Sequence, residues 1–243
     1  MTAQPPTAQP ASRLRRCFAW SVHAYTATGA LAAFAATIDT IHGNYRGAFF
    51  LMVVATAIDA TDGLLARMAR VKEATPTFDG ARLDDIVDYL TFVFVPILLL
   101  YHAGDLPMSW GSIVAAIVLL SSAYGFASTD AKTEDYFFTG FPSYWNIIAL
   151  YLHAGQLPTA VNGAILLALS ALVFVRIGYV YPTRTPVLRG LTNGLCAVWG
   201  LMVVAIIWKL PDVPGLLLIA SLFFPVYYTV LSLTLNARRG RRP

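Results

Sequence analysis

Charge is scarce in this chain. Asp, Glu, Lys and Arg make up 12% of its 243 residues, about half of the ~25% that a soluble domain carries. That shortage excludes an ordinary water-soluble globule. The opposite abundance, 57% hydrophobic residues, excludes a disordered chain, which is poor in apolar side chains. Cysteine is scarcer still. Cys17 and Cys196 cannot build a disulfide framework, and their spacing is not that of a metal site. No internal repeat and no second domain are visible. The formal charge of +4 is not gathered on one soluble face, so the pattern gives no support to nucleic acid as a partner.

What is present is a series of long uncharged stretches, at 17–38, 106–129, 136–175, 190–208 and 213–237. A helix that crosses a bilayer needs about 20 mostly apolar residues, at a rise of about 1.5 Å each. Two turn signals subdivide the longest apolar stretches: His102 to Pro107, and His153 to Pro158. The pattern predicts an all-α, polytopic membrane protein with about eight spans, near 21–41, 46–66, 83–103, 108–128, 140–154, 159–179, 187–208 and 213–235. Residues 13–243 then form one membrane domain. Residues 1–12, rich in Pro, Gln, Thr and Ala, read as a disordered tail without a leader's cleavage site, and 13–20 as a short interfacial helix. With an even number of spans, 15 of the 17 Lys and Arg residues fall on the side of both termini, leaving Arg46 and Lys209 opposite. Basic residues in short loops mark the cytoplasm. Both termini are therefore expected there.

Ionisable groups are kept out of lipid unless they work there. Asp59 and Asp62 lie three residues apart near the end of the second span, and Asp84 and Asp88 four apart near the start of the third. Each pair shares one helical face, and antiparallel neighbours bring the faces together. Four converging carboxylates repel one another in low dielectric, so a cation is required. Hard divalent ions choose carboxylate oxygens, and two acidic pairs suit two ions of the Mg²⁺ or Mn²⁺ type. The alternative is solvated helix ends with local ion pairs, Asp62 to Arg67 or Asp84 to Arg82. Gly63, Ala66 and Gly80 leave room for a group to approach the backbone, and Arg67 offers a two-pronged fork to phosphate.

The set Asp59, Asp62, Gly63, Ala66, Arg67, Gly80, Asp84 and Asp88 resembles the signature of the CDP-alcohol phosphotransferases. It departs in one place: twelve residues, not eight, separate Arg67 from Gly80. That longer insertion resembles the bacterial branch of the family that uses choline, as do the stretches around Val71, Phe78, Asp84 to Tyr89 and Thr129 to Asp135. The resemblance covers about His23 to Arg184 and agrees with eight spans. It implies the CDP-alcohol phosphotransferase fold, an inner (cytoplasmic) bacterial membrane, an active site facing the cytoplasm and a homodimer. The four aspartates would hold two divalent ions, and Asp88 would also be the general base. Gly63, Ala66, Arg67 and Gly80 would cradle the CDP moiety of CDP-diacylglycerol. Many members carry an Asn near the start of the first span, where this chain has His23. Thr26, close by, is then a nucleotide contact and His23 a structural residue.

The expected reaction is attack of an acceptor hydroxyl on the β-phosphorus of CDP-diacylglycerol, with CMP leaving. For the acceptor, quaternary ammonium groups are held by aromatic faces helped by nearby acid. Asp130, Lys132, Glu134 and Asp135 sum to −2 and precede a run of aromatic residues. Glu134, Tyr144, Trp145 and Tyr181 are the choline-binding candidates, and phosphatidylcholine is the expected product. An aromatic interface belt is the simpler reading of the same rings. Serine, glycerol phosphate or inositol as acceptor, a cation or choline transporter, and a purely structural membrane protein are the competing readings. A transporter places its charges near the bilayer midplane on broken helices, whereas these lie at one end beside an arginine.

Overall fold

Helices account for most of the chain in the computed structural model, which describes residues 12–130, 133, 137–180 and 187–239. In order they are α1 (Arg13–Ile41), α2 (Tyr45–Ala69), the single turn α3 (Val71–Ala74), and α4 (Gly80–Asp88). A π-helical stretch (Tyr89–Phe94) continues α4 into α5 (Val95–His102). Then follow α6 (Gly111–Ala127), β1 (Phe137–Thr139), α7 (Trp145–Gly155), α8 (Thr159–Val173), β2 (Gly178–Val180), α9 (Arg189–Lys209), α10 (Gly215–Ser221) and α11 (Phe223–Arg239). Among the described residues, three helical segments are long and apolar enough to cross a membrane: α2, α9, and the pair α10–α11. Helices α6 and α8 are apolar but shorter. The structure is therefore that of a helical membrane protein.

Two expectations need correction. The stretch 13–20 is not a separate interfacial helix; it is the first two turns of α1, started by Ser12, whose Oγ accepts from the Arg15 N–H at 3.4 Å. The helix expected over 159–179 stops at Val173, and Gly178–Val180 instead pairs antiparallel with Phe137–Thr139, Phe138 opposite Tyr179. The fold is thus helical with one short ribbon. The tail before Ser12 lies outside the described residues.

Local chemistry explains the breaks. Pro225 cannot donate a helical bond back toward Ser221, and the last span is interrupted at Leu222 between α10 and α11. Pro96 likewise lacks the N–H that would reach Phe92, and the helix widens to π geometry just before it. Both turn signals are turns. Gly104 sits at φ +77° and Gln156 at φ +48°, where each helix reverses. The turns are tied to each other: His153 Nδ1 and Asp105 Oδ2 are 2.7 Å apart, and Asn162 donates to the Asp105 carbonyl at 2.9 Å.

Lipid tails are as apolar as leucine, so helix pairing here rests on close packing rather than on escape from water. Small residues permit it. Ala32, Ala33 and Ala36 of α1 are buried, as are Ala48 and Ala55 of α2, and these two helices pack along one another more extensively than any other pair. A Cβ on Gly29 would lie 2.5 Å from Val87 Cγ1, which fixes how closely α1 and α4 approach. Trp145, Leu150, Leu166 and Ile206 are fully buried at the centre, whereas Phe34, Leu201 and Leu216 point outward.

Candidate active site

Helices α2 and α4 both pack against α1, are linked by the turn around α3, and carry the acidic residues. Arg70, at φ +47°, ends α2. Asp79 starts α4, its Oδ1 accepting from the N–H groups of Ala81 and Arg82 at 3.1 and 3.2 Å, the usual office of an N-cap aspartate. Asp84 and Asp88 then stand on one side of α4, one turn apart. Carboxylate oxygens of Asp59, Asp84 and Asp88 all lie within 4.8 Å of one another, each residue partly buried. At that separation two negative charges repel by about 3–4 kcal/mol at an effective dielectric near 20. Three hard oxygen donors at this spacing fit a divalent cation of the Mg²⁺ or Mn²⁺ type.

Asp62 stands apart from this trio. It is 7% exposed, and its Oδ2 accepts from the Thr26 hydroxyl at 2.7 Å. Thr26, expected to touch nucleotide, is thus itself buried and holds Asp62 in place. The local ion pairs that would have made these carboxylates mere helix ends are not what forms. Arg82 pairs with Asp79 at 3.2 Å, Asp62 bonds to Thr26, and among the described residues Arg67 has no ion-pair partner. Arg67 is exposed and lies along Gly63, its Nη1 3.5 Å from where a Cβ would be. Ala66 is half-buried on the same stretch of helix. At Gly80 the space is taken by a ring of this chain: a Cβ would be 2.7 Å from His23 Cε1. His23 Nε2 and Thr75 Oγ1 are 2.9 Å apart, and Phe78 packs on the imidazole at 4.6 Å. His23 is structural, as expected.

The carboxylates open into a cavity of about 150 Å³. Its lining joins Asp59, Asp84, Asp85 and Asp88 to Phe92 and Phe126, and to the segment Phe138–Tyr144 except Gly140. The ribbon presents that segment. Gly140, at φ +80°, lets the chain turn against the end of α8, where a Cβ would be 2.3 Å from the Val173 carbonyl oxygen. Gly140 N–H donates to Ile177 and Phe141 N–H to Leu172, at 2.9 and 3.0 Å. Tyr144, a choline candidate, lines the cavity. Trp145 does not. Its ring is fully buried against Phe141 at 5.0 Å, and its Nε1 donates to Ser122 Oγ at 2.7 Å. It anchors its neighbour instead of meeting a ligand. Glu134 and Tyr181 lie outside the described residues.

Over 221 residues the chain is 37% identical to a phosphatidylcholine synthase of Legionella pneumophila, covering 88% of this chain and 87% of that one. The chain belongs to the phosphatidylcholine synthase family. Phosphatidylcholine synthases of Pseudomonas aeruginosa and Borreliella burgdorferi are 34% and 33% identical, over 87% and 92% of this chain and 90% and 97% of theirs. No family model matches the chain. Membership makes the protein an enzyme of phospholipid synthesis, a transferase in the membrane. Sequence reasoning missed Asp85 and the ribbon. Asp85 directly follows a candidate ligand, which was a signal; the ribbon left none.

Proposed function

We propose that the cavity transfers the phosphatidyl group of CDP-diacylglycerol to choline, giving phosphatidylcholine and CMP. The observation that carries this reading is the convergence of Asp59, Asp84 and Asp88 within 4.8 Å on the lining of a cavity that also has aromatic walls. Asp59, Asp84 and Asp88, with Asp62 through the oxygen that Thr26 does not engage, would hold two Mg²⁺ or Mn²⁺ ions. Bound there, such ions supply charge neutralisation at a diphosphate and at a departing phosphate.

The protein's own groups do the rest. Arg67, exposed beside Gly63 and Ala66, grips the diphosphate through two parallel N–H donors. Gly80 keeps that side of the site low through its fit to His23. Asp88 accepts the proton of the choline hydroxyl as its oxygen bonds to the β-phosphorus. The bond from that phosphorus to the bridging oxygen breaks, and CMP departs with the electron pair. A well-positioned carboxylate need not be strongly basic for this task.

The wider setting belongs to the same proposal: eight spans, both termini and the site at the cytoplasmic side of a bacterial inner membrane, and a homodimer. CDP-diacylglycerol keeps its acyl chains in the bilayer and its head group at the surface, so a site near one end of the helices meets both. Purified full-length protein should convert CDP-diacylglycerol and labelled choline to labelled phosphatidylcholine. Activity should vanish on chelation and return with Mn²⁺ or Mg²⁺. Turnover in a chelated sample, or transfer to serine, inositol or glycerol phosphate in place of choline, would overturn the reading.

A further inference from the structure

The cavity lining joins two kinds of chemistry. Asp59, Asp84 and Asp88 are close enough to share a cation. The rings of Phe138, Phe141 and Tyr144, and Asp85, belong to the same lining. Asp85 is not a member of the converging trio. One residue beyond Asp84, it is turned about 100° around the α4 axis, yet it still borders the cavity.

Size assigns the space to one substrate. At about 150 Å³ the cavity is smaller than the roughly 300–1,000 Å³ of a site for a drug-sized ligand. Neither Gly63 nor Arg67, the residues placed on the diphosphate, lines it. A small acceptor alcohol does fit, its hydroxyl toward Asp88 and its other end among the rings.

The lining also assigns the charge. The rings of Phe138 and Tyr144 meet at 83° with centroids 6.4 Å apart, making a corner of two aromatic walls. Cations are attracted to such faces within about 6 Å of a ring centroid. A carboxylate on the same lining adds attraction for a cation and repels an acceptor that carries phosphate or carboxylate. A trimethylammonium group has no N–H to donate, so aromatic faces and a nearby negative charge suit it better than a set of hydrogen-bond acceptors.

We infer that Asp85, with Phe138, Phe141 and Tyr144, forms the subsite for the quaternary ammonium of the acceptor, and that Asp85 sets the preference for a cationic acceptor. This rests on the proposed transfer to choline and adds a residue outside the metal-binding set. In purified full-length protein, Asp85→Asn should raise KM for choline about tenfold or more while changing kcat, KM for CDP-diacylglycerol and the Mn²⁺ concentration for half-activation less than threefold or so. Tetramethylammonium should inhibit the wild type in competition with choline, and its inhibition constant should rise in parallel in Asp85→Asn and in Phe138→Leu. Should Asp85→Asn not fold, Asp85→Ser and Phe138→Leu carry the same comparison. An unchanged KM for choline, or a shift in Mn²⁺ requirement with KM for choline constant, overturns the assignment of Asp85. A wild type that does not use choline overturns the underlying transfer reading instead.

Discussion

A carboxylate that is 7% exposed and bonded to a threonine hydroxyl sits in an expensive place, because one neutral hydrogen bond does not replace the water an anion loses. Asp62 is therefore a residue whose surroundings await positive charge, and Thr26 is the side chain that aims it. Thr26→Val keeps the shape and removes the donor. The expected result is a rise of about 10–100-fold in the Mn²⁺ concentration for half-activation, the usual cost of deleting a group that orients a metal ligand, with helical content unchanged by circular dichroism. Asp59→Ala, Asp84→Ala and Asp88→Ala should each lower turnover of choline by about 10²-fold or more, measured in the same assay. At this scale the sequence was informative. Aspartates at i,i+3 and i,i+4 must share helical faces, and three of the four meet as that spacing requires. What could not be read was commitment. Thr26 looked like a ligand contact and Trp145 like a choline wall, since the sequence does not say that one is spent on Asp62 and the other on Ser122.

The elements that position these residues were unevenly legible. Long apolar runs bounded by charge and by Gly-Pro turn signals announce helices, and α1, α2, α6, α8 and α9 begin or end within a few residues of the expected bounds. The ribbon was invisible. Three-residue strands carry no period, and their partners lie some forty residues apart, so no local pattern marks them. The π-helical stretch was hidden for the same reason, although Pro96 was in plain view. Yet the ribbon supplies the aromatic wall. Gly140→Ala would place a Cβ 2.3 Å from the Val173 carbonyl oxygen at a positive φ that costs a non-glycine residue about 1–2 kcal/mol. The expected outcome is a displaced ribbon: KM for choline rises about tenfold, while the Mn²⁺ requirement stays within a factor of two or so. On the other flank, Gly29→Leu drives a side chain into Val87 and should destabilise the α1–α4 contact by about 1–3 kcal/mol, seen as a lower unfolding temperature in detergent.

The whole molecule has polarity along its helices. Asp59 and Asp62 stand toward the end of α2 and Asp84 near the start of α4, whereas the turns that begin at His102 and His153 follow the far ends of α5 and α7. Cys17, exposed near the start of α1, is a native reporter of the first end. In Cys196→Ser protein, an impermeant maleimide should label Cys17 only from the cytoplasmic face of oriented vesicles, and a cysteine introduced at Gln156 only from the opposite face. Labelling of both from one face would break the eight-span arrangement. The expectation of this arrangement rests on charge bookkeeping over the entire chain, because the bilayer imposes a simple rule on where lysine and arginine remain.

The link between His153 and Asp105 has a mechanical corollary. It staples two helical hairpins together far from the chemistry, with Asn162 as a second stitch. Relative motion of the two hairpins is thereby restrained at these turns, which act as their hinge. Cutting the staple with Asp105→Asn would loosen the hinge, and the barrier between the two faces of the membrane would be the first thing to suffer.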